Sequence, residues 1–343
     1  MVTISSQAQP RRQRSPWVRI SFDSIASHSA KYRPDVDGLR ARRVCGSDDP
    51  QTRQLVAANL ERINDYDEPE ICTNWKTDVR SLADVHFCGL GSQSPHKIIF
   101  WGDSHVGQLY PAIEELYNKG ELLNRGVVTA IGAGCLPDKH LNHVSEGYHC
   151  DSFSKFALLR AKKEDIDTVF IGFSTWAMLD DDSACVSSDG KCLTMLSKEQ
   201  LRRRFLSDLS DEIITLHDLG KKVIVSLPFP IFNGLIPEVE ISNAVFGRFG
   251  LIRTAEEIAL PSFHQEVRAV AVSAGAEIFD PRLTLCQGQE CLTQMHGVSI
   301  YKDNSHIAGS SESRQPWTAW WRADQSAGIS AALLCRSEPG SFV

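Results

Sequence analysis

The 343-residue chain has no run of about 20 apolar residues, the length that a transmembrane helix requires, so we predict no membrane-spanning segment. Its first residues carry Arg11, Arg12 and Arg14 ahead of Trp17 but not the apolar core of a secretion signal. Positive charge is not in excess either, and the net charge of −7 argues against nucleic acid as a main partner. What remains is a globular protein of ordinary hydrophobic content, long enough to bury a large core.

Zinc-binding spacings are also missing. The ten cysteines include no Cys-x-x-Cys pair and the histidines form no cluster at zinc spacing, so we predict no metal and no cofactor. The cysteines fall instead into short-range pairs near loops: Cys72 with Cys88, Cys135 with Cys150, Cys185 with Cys192, and Cys286 with Cys291. An even count in such positions favours disulfides and an oxidising compartment. The sequence does not determine which cysteines form disulfides with each other. We hypothesise that neighbours pair, which leaves Cys45 and Cys335 without an assigned partner.

One short apolar run, Lys97-Ile-Ile-Phe-Trp, ends abruptly in Gly102-Asp103-Ser104-His105. The run is typical of a buried strand, and the apolar residues that follow recur at helical spacing as far as Gly120. Pro111 is expected to kink or restart that helix. Ser104 therefore lies at the carboxyl end of a strand, where open α/β sheets present reactive groups. Its hydroxyl suits attack on a carbonyl, and its backbone N–H suits a developing oxyanion.

A serine is a weak nucleophile until a base activates it. Asp303 and His306, near the other end of the chain, are three residues apart. That spacing lets the carboxylate meet the imidazole Nδ1–H and leaves Nε2 free for Ser104. Each motif alone occurs by chance, but a serine turn followed by Asp-x-x-His is a specific pattern. It predicts serine-dependent acyl chemistry, with Asp103 shaping the turn.

Strands alternate with helices along the chain, which predicts a parallel sheet covered on both faces. The five predicted strands are residues 97–101, 127–131, 168–173, 222–228 and 277–280. A capping box at Ser197 opens one helix, which Gly220 ends, and Ser262 is predicted to cap another that reaches Ser273.

With these blocks the sequence resembles the SGNH (GDSL-like) hydrolase superfamily. More closely, it resembles the SGNH domain fused to acyltransferase-3 membrane proteins, the bacterial O-acetyltransferases of surface polysaccharides. The matching blocks are Gly102–His105 and Asp303–His306, supported by Cys286-x4-Cys291, by Cys88-Gly-Leu-Gly and by the segment from Phe170 to Trp176. The resemblance covers residues 85–310 and implies a three-layer α/β/α, flavodoxin-like fold with a central parallel sheet of about five strands.

The resemblance also implies an oxyanion hole, with the Ser104 N–H as one donor. Gly132 or Gly134, after the second strand, is the next candidate, and an ordinary turn glycine is the alternative. Typical SGNH hydrolases place an Asn beyond the third strand, whereas this chain has Ser174-Thr175-Trp176. A hydroxyl of Ser174 or Thr175 is the candidate replacement for the missing amide.

Two further residues are candidate substrate contacts. Trp176 is positioned to act as a platform for a sugar ring, with core packing as the alternative. His105 is the second candidate, with a structural role in holding its loop as the alternative.

Three regions are predicted along the chain. Residues 1–44 form a disordered arm whose segment from Tyr32 to Ala41 resembles the opening of the acyltransferase-3 membrane domain. Residues 45–310 form the SGNH catalytic domain, and residues 311–343, which contain three of the seven tryptophans, form an atypical tail. A two-part ancestor that lost its membrane half explains the opening segment, and a chance match is the alternative.

The resemblance implies O-acetyl transfer, through an acyl-serine intermediate, to hydroxyls of a bacterial cell-surface polysaccharide such as lipopolysaccharide O-antigen. It implies a periplasmic location, which the cysteines favour and the missing export signal opposes. The expected partners are a glycan acceptor and an acyl donor, with a separate membrane acyltransferase as one candidate source of acyl groups. Two alternatives stay open: a carbohydrate acetyl esterase with the same triad, and an inactive glycan-binding remnant.

Overall fold

The computed structural model describes residues 49–309, with gaps at 64–72, 75–80, 82–83, 86, 146, 177–182, 247–251, 254–261 and 289. The described residues all belong to one compact unit of the chain. The predictions for the N-terminal arm, for Cys72 and for the tail after residue 310 lie outside these ranges. None of the helices in the described ranges is long and apolar enough to cross a membrane.

Fifteen strands are defined in the described ranges. They are β1 (Thr73–Asn74), β2 (Cys88–Leu90), β3 (Lys97–Gly102), β4 (Gly126–Gly132), β5 (Leu141–His143), β6 (Ile166–Gly172), β7 (Ala184–Ser188), β8 (Lys191–Leu196), β9 (Lys222–Ser226), β10 (Ile252–Arg253), β11 (Glu277–Phe279), β12 (Cys286–Gln287), β13 (Glu290–Cys291), β14 (Gln294–Met295) and β15 (Val298–Ser299).

Eight helices are defined in the same ranges. They are α1 (Pro50–Arg62), α2 (Ser104–Gly107), α3 (Tyr110–Asn118), α4 (Cys150–Ala161), α5 (Lys198–Asp218), α6 (Ile236–Phe246), α7 (Phe263–Ser273) and α8 (Arg282–Leu285).

The central sheet has the order β1-β4-β3-β6-β9-β11, and every neighbouring pair along it is parallel. The five predicted strands are its β3, β4, β6, β9 and β11, so the α/β fold class is confirmed. Two short strands extend the prediction: β1 continues the parallel order, and β2 pairs antiparallel with β4. Because β3 lies between β4 and β6, the chain that leaves β3 at Gly102 emerges in the middle of the sheet edge.

The sheet separates two apolar clusters, as the three-layer prediction requires. Along β3, Ile99 and Trp101 point into one cluster and Ile98 and Phe100 into the other, and all four are fully buried. Burial on both faces explains why the strand is a continuous apolar run rather than an alternating one. Helices α4, α5 and α7 cover the first face, while α2, α3, α6 and α8 contribute to the second.

The helix boundaries follow local signals. The Ser197 and Gln200 side chains form the predicted capping box at the start of α5. Helix α7 covers the predicted segment, and Ser262 is its N-cap residue as predicted. Its hydroxyl, however, donates to Glu266 and makes no capping hydrogen bond to the backbone. Helix α3 restarts with Pro111 in its first turn, after α2 has ended at Gly107.

Three disulfides join the predicted neighbours. Cys135–Cys150 links the loop after β4 to the start of α4, Cys185–Cys192 joins β7 to β8, and Cys286–Cys291 joins β12 to β13. Cys88 is also disulfide-bonded, while its predicted partner Cys72 lies outside the described residues. The first of these bonds constrains the loop that carries both candidate oxyanion glycines.

Candidate active site

The turn between β3 and α2 presents Ser104 as the first residue of the helix. Gly102, at the end of the strand, has no room for a side chain, since a Cβ there would lie 1.9 Å from the Gly172 carbonyl oxygen of the neighbouring strand. Asp103 caps the helix: its Oδ1 accepts the His105 N–H at 2.8 Å, and its Oδ2 accepts the Ser174 N–H at 2.8 Å. The Asp103 carboxylate therefore ties the nucleophile turn to the end of β6, which is the turn-shaping role predicted for it.

Asp103 is fully buried, and burial raises its pKa to about 6, although the Ser174 and His105 N–H groups favour the charged form. A carboxyl whose pKa is raised on folding stabilises the fold most below its unfolded pKa of 3.8. That contribution declines as the pH rises from about 4 to 6 and is constant above this range.

We expect Asp103→Asn to lower both stability and turnover. An amide keeps one acceptor but turns its NH2 group toward the second backbone N–H, and an unpaired buried group of this kind costs about 1–3 kcal/mol. Urea unfolding at pH 4 and at pH 6 measures the effect. The stability gap between wild type and variant should narrow as the pH rises, and a gap independent of pH would contradict the buried, protonatable carboxyl.

The loop between β15 and the end of the described chain places the base against the serine. Asp303 Oδ1 accepts the Ser305 and His306 N–H groups at 2.7 and 2.6 Å, while its Oδ2 lies 2.7 Å from His306 Nδ1. His306 Nε2 lies 2.7 Å from Ser104 Oγ. Partial burial alone would raise the pKa of Asp303, but the charge of His306 and these hydrogen bonds outweigh it and hold the pKa well below its usual range.

The ionised Asp303 accepts the Nδ1–H of His306, which leaves the Nε2 lone pair directed at the Ser104 hydroxyl. The structure thus brings together the three side chains predicted as nucleophile, base and orienting acid, although Ser104 and His306 are 202 residues apart in the chain. This arrangement can withdraw the serine proton as the oxygen attacks a carbonyl carbon.

Gln108 is a part of this site that sequence reasoning missed. It lies one helical turn after Ser104, is 6% exposed, and its Oε1 accepts the Ile307 N–H at 2.6 Å. The side chain therefore joins the nucleophile turn to the residue that follows the base. Its only signal in the sequence is the four-residue spacing from Ser104, which indicates a shared helix face but no partner.

His105 packs behind the base rather than facing solvent. It is 3% exposed, and its ring centroid lies 4.8 Å from that of His306. Burial, followed by the charge of His306, lowers its pKa well below the usual value, so the ring is neutral. The prediction of a substrate contact at His105 does not fit this burial, whereas a structural role in the loop does.

The three candidate oxyanion donors, Ser174, Gly132 and Gly134, have different neighbours and hydrogen-bond partners. Ser174 is buried and donates its N–H to Asp103, and its hydroxyl also stabilises that carboxylate, so it is not directed at an oxyanion. Gly132 ends β4 with the Phe153 ring 2.6 Å from where a Cβ would be. Gly134 has a φ of +72°, a left-handed conformation that glycine adopts without strain, and it packs on Tyr148.

Trp176 forms one wall of a small cavity that Gly134 and His143 also line. The rings of Trp176, His143 and Tyr148 stack in series, with centroids 4.6 and 4.4 Å apart. Burial lowers the pKa of His143 to about 4, so the middle ring is neutral at ordinary pH. Trp176 Nε1 is buried and has no hydrogen-bond partner among the described residues. The predicted platform is therefore one end of an aromatic stack, and its indole N–H is buried without a described hydrogen-bond partner.

A family model described as an SGNH domain fused to AT3 domains matches residues 71–311 of the chain. Among curated proteins, none matches the sequence significantly.

Solved structures are similar to this one at low sequence identity. The periplasmic domain of a lipopolysaccharide acetyltransferase from Salmonella ser. Paratyphi A superposes with a TM-score of 0.54 at 13% identity, covering 82% of this chain and 98% of that one. A GDSL-like lipase from Bacteroides thetaiotaomicron superposes with a TM-score of 0.40 at 12% identity, covering 69% of this chain and 91% of that one.

Proposed function

The chain belongs to the family of SGNH domains fused to AT3 domains, and we propose that it transfers an acetyl group to a hydroxyl of a bacterial cell-surface polysaccharide. The observation that carries the proposal is the hydrogen-bonded series Asp303–His306–Ser104, with 2.7 Å at both imidazole nitrogens. Such a series activates a serine for attack on acyl carbonyl groups.

In the first half of the proposed reaction, Ser104 Oγ attacks the carbonyl carbon of an acetyl ester. Its proton moves to His306 Nε2, and the resulting imidazolium is stabilised by the Asp303 carboxylate. The Ser104 N–H, with a glycine N–H from the loop after β4, stabilises the oxyanion. When the bond to the donor oxygen breaks, that oxygen takes the proton from His306, and an acetyl-serine remains.

In the second half, the acceptor hydroxyl gives its proton to His306 Nε2 and attacks the acetyl-serine. The bond to Ser104 Oγ then breaks, and the serine recovers its proton. With water as the acceptor the same steps release acetate, so transferase and esterase differ only in which hydroxyl reaches the acetyl-serine. Acceptor binding therefore decides the function.

The aromatic stack supports a sugar as the acceptor. Aromatic faces bind the apolar faces of sugar rings, and Trp176 ends the series of stacked rings. Gly134 lines the same cavity, so the stack adjoins the proposed oxyanion loop. We assign the acceptor to this wall, with Trp176 as its substrate contact and Gly134 rather than Gly132 as the oxyanion glycine.

The disulfides support a location outside the cytoplasm, because such bonds persist in oxidising compartments. We place the domain in the periplasm, where a separate membrane acyltransferase is a candidate source of acetyl groups. The similarity in fold to the periplasmic domain of the Salmonella acetyltransferase agrees with this location.

The test compares transfer with hydrolysis. The disulfide-intact chain is incubated with p-nitrophenyl acetate, with and without bacterial polysaccharide fragments, and acetylated Ser104, acetylated glycan and free acetate are measured by mass spectrometry. We expect acetyl-Ser104 to form in both cases and acetyl groups to move to the glycan when it is present. Release of acetate alone, in the presence of every glycan tried, favours the carbohydrate esterase. Glycan binding without acetyl-Ser104 favours the inactive remnant.

A further inference from the structure

A second group of ionisable side chains lies away from the Ser104 site, between the loop that follows β4 and helix α5. We call it the acidic cluster, and its members are Asp138, His140, Asp208 and Glu212. Asp138 and His140 stand in the loop after β4, whereas Asp208 and Glu212 stand one turn apart on α5. The loop pair and the helix pair are about 70 residues apart in the chain. Neither pair has the Cys or His spacing that is typical of metal sites.

Three of these side chains are arranged as metal ligands are. His140 Nδ1 lies 3.3 Å from Asp208 Oδ2 and 3.9 Å from Asp138 Oδ1, and one ligand atom from each of the three lies within 4.8 Å of the others. Ligand atoms about 2.0–2.2 Å from a zinc ion are themselves roughly 3–4 Å apart. These separations therefore leave space for one ion without a rearrangement of the backbone.

Glu212 is an independent sign that the cluster binds something. Its side chain is 1% exposed, and its carboxylate receives no side-chain hydrogen bond from the described residues, although the Lys139 backbone N–H lies close to it. Asp138, also 1% exposed, has one oxygen in the same condition. The charges of Asp138 and Asp208 both act on Glu212, so it faces the other two carboxylates. Buried carboxylates without partners destabilise a fold unless a cation or a proton neutralises them.

The cationic side chains nearby neutralise only part of this charge. Arg204 donates to Asp208, while Lys139 is half-buried and faces Glu212. With all three carboxylates ionised, Arg204 and Lys139 leave a formal charge of −1 in the cluster, which a bound cation would neutralise. One imidazole with two carboxylates, from His140, Asp138 and Asp208, is a ligand set suited to Zn²⁺ or Mn²⁺, whereas Ca²⁺ prefers six to eight oxygen ligands.

We propose that the acidic cluster binds one divalent transition-metal ion, Zn²⁺ or Mn²⁺, which fastens the loop after β4 to helix α5. The loop also carries Gly134 and the Cys135–Cys150 disulfide, so the ion stabilises the segment on which the cavity beside Trp176 is built. The role is structural, because the triad chemistry at Ser104 needs no metal.

The test uses untagged, disulfide-intact full chain that has been treated with a chelator. It is titrated calorimetrically with Zn²⁺, Mn²⁺ and Ca²⁺, and bound metal is counted by mass spectrometry. We expect one Zn²⁺ or Mn²⁺ per chain, a rise in melting temperature and weak or no binding of Ca²⁺. Absence of Zn²⁺ and Mn²⁺ binding would overturn the proposal.

The matched variants are Glu212→Gln and its exposed neighbour on the same helix, Asp211→Asn. Glutamine has the shape of the protonated glutamic acid, so Glu212→Gln should fold, and we expect it to weaken binding at least ~10-fold. Asp211→Asn should bind as the wild type does. His140→Asn is a second loss variant at a side chain 42% exposed, which keeps the test valid if Glu212→Gln misfolds. Binding that is unchanged in both loss variants places the ion elsewhere and overturns the proposal.

Discussion

Ser104→Ala is expected to lower kcat by on the order of 10⁴- to 10⁶-fold, and His306→Ala by a similar factor. The two side chains act as a unit, since the 2.7 Å hydrogen bond between Ser104 Oγ and His306 Nε2 is the path of the transferred proton. Removal of either partner stops formation of the acetyl-serine, so the second loss adds little to the first. Release of p-nitrophenol from p-nitrophenyl acetate measures the single and double variants.

Ser305→Ala is the matched control for that loss. Its hydroxyl lies 3.3 Å from His306 Nδ1, on the side of the ring that faces Asp303 rather than Ser104. We expect it to lower kcat by less than ~10-fold, because it is not the attacking oxygen. Activity unchanged by Ser104→Ala would contradict the assignment of the nucleophile, whatever the control does.

Asp303→Asn is expected to lower kcat by about 10⁴-fold while the fold stays intact. The Ser305 and His306 N–H groups require an acceptor at the Oδ1 position, so the amide NH2 of asparagine must face His306 Nδ1. That donor forces the imidazole proton onto Nε2, which then donates toward Ser104 and cannot take its proton. The tautomer, rather than the position of the ring, is what the substitution changes.

Three measurements separate this account from a loss of structure. The variant should remain folded at the assay temperature, although its melting temperature falls because the ionised Asp303 stabilises the native state. The Kd for polysaccharide fragments should stay near the wild-type value, while kcat falls. Asp303→Ala removes the carboxylate without introducing an amide NH2 donor, so its kcat should fall by no more than that of Asp303→Asn. A loss of less than ~10-fold in Asp303→Asn would mean that the carboxylate does not orient the base.

The pH dependence of the wild type follows from the same contacts. A carboxyl whose pKa is depressed on folding stabilises the native state above its unfolded pKa, and the contribution is lost as the pH falls through the folded value. Because the pKa of Asp303 lies well below its usual range, its carboxylate remains ionised across the range in which activity is assayed. Titration of Asp303 therefore does not contribute to the acid limb of the activity profile.

The sequence alone predicted the five main strands, the start of α5 and the place of Ser104 at a strand end. Each of these depends on a short-range pattern: a continuous apolar run for strands buried on both faces, a capping box for the helix, and a Gly-Asp-Ser-His turn for the serine. The Asp303–His306 pair could be predicted for the same reason, since its members are only three positions apart in the chain. The neighbouring cysteines of the three observed disulfides also lie close in the chain.

Other candidate roles involve residues whose partners are distant in the chain. The candidate replacement for the missing amide was a hydroxyl of Ser174 or Thr175, and the structure shows that the Ser174 N–H is donated to Asp103, 71 residues away. His105 was a candidate for the substrate, yet it is buried against His306. The expectation of no metal rested on spacing alone, and spacing does not reveal an acidic cluster assembled from a loop and a helix.

What the sequence determined by itself is the local character of each segment, together with the residues that carry acyl chemistry. The tertiary structure decided which segments meet: Ser104 with His306, Gln108 with Ile307, and the loop after β4 with α5. The physical reason is that strand order and side-chain direction set contacts between residues far apart in the chain. Hydrophobic periodicity records which face of an element is buried, but not which element covers it.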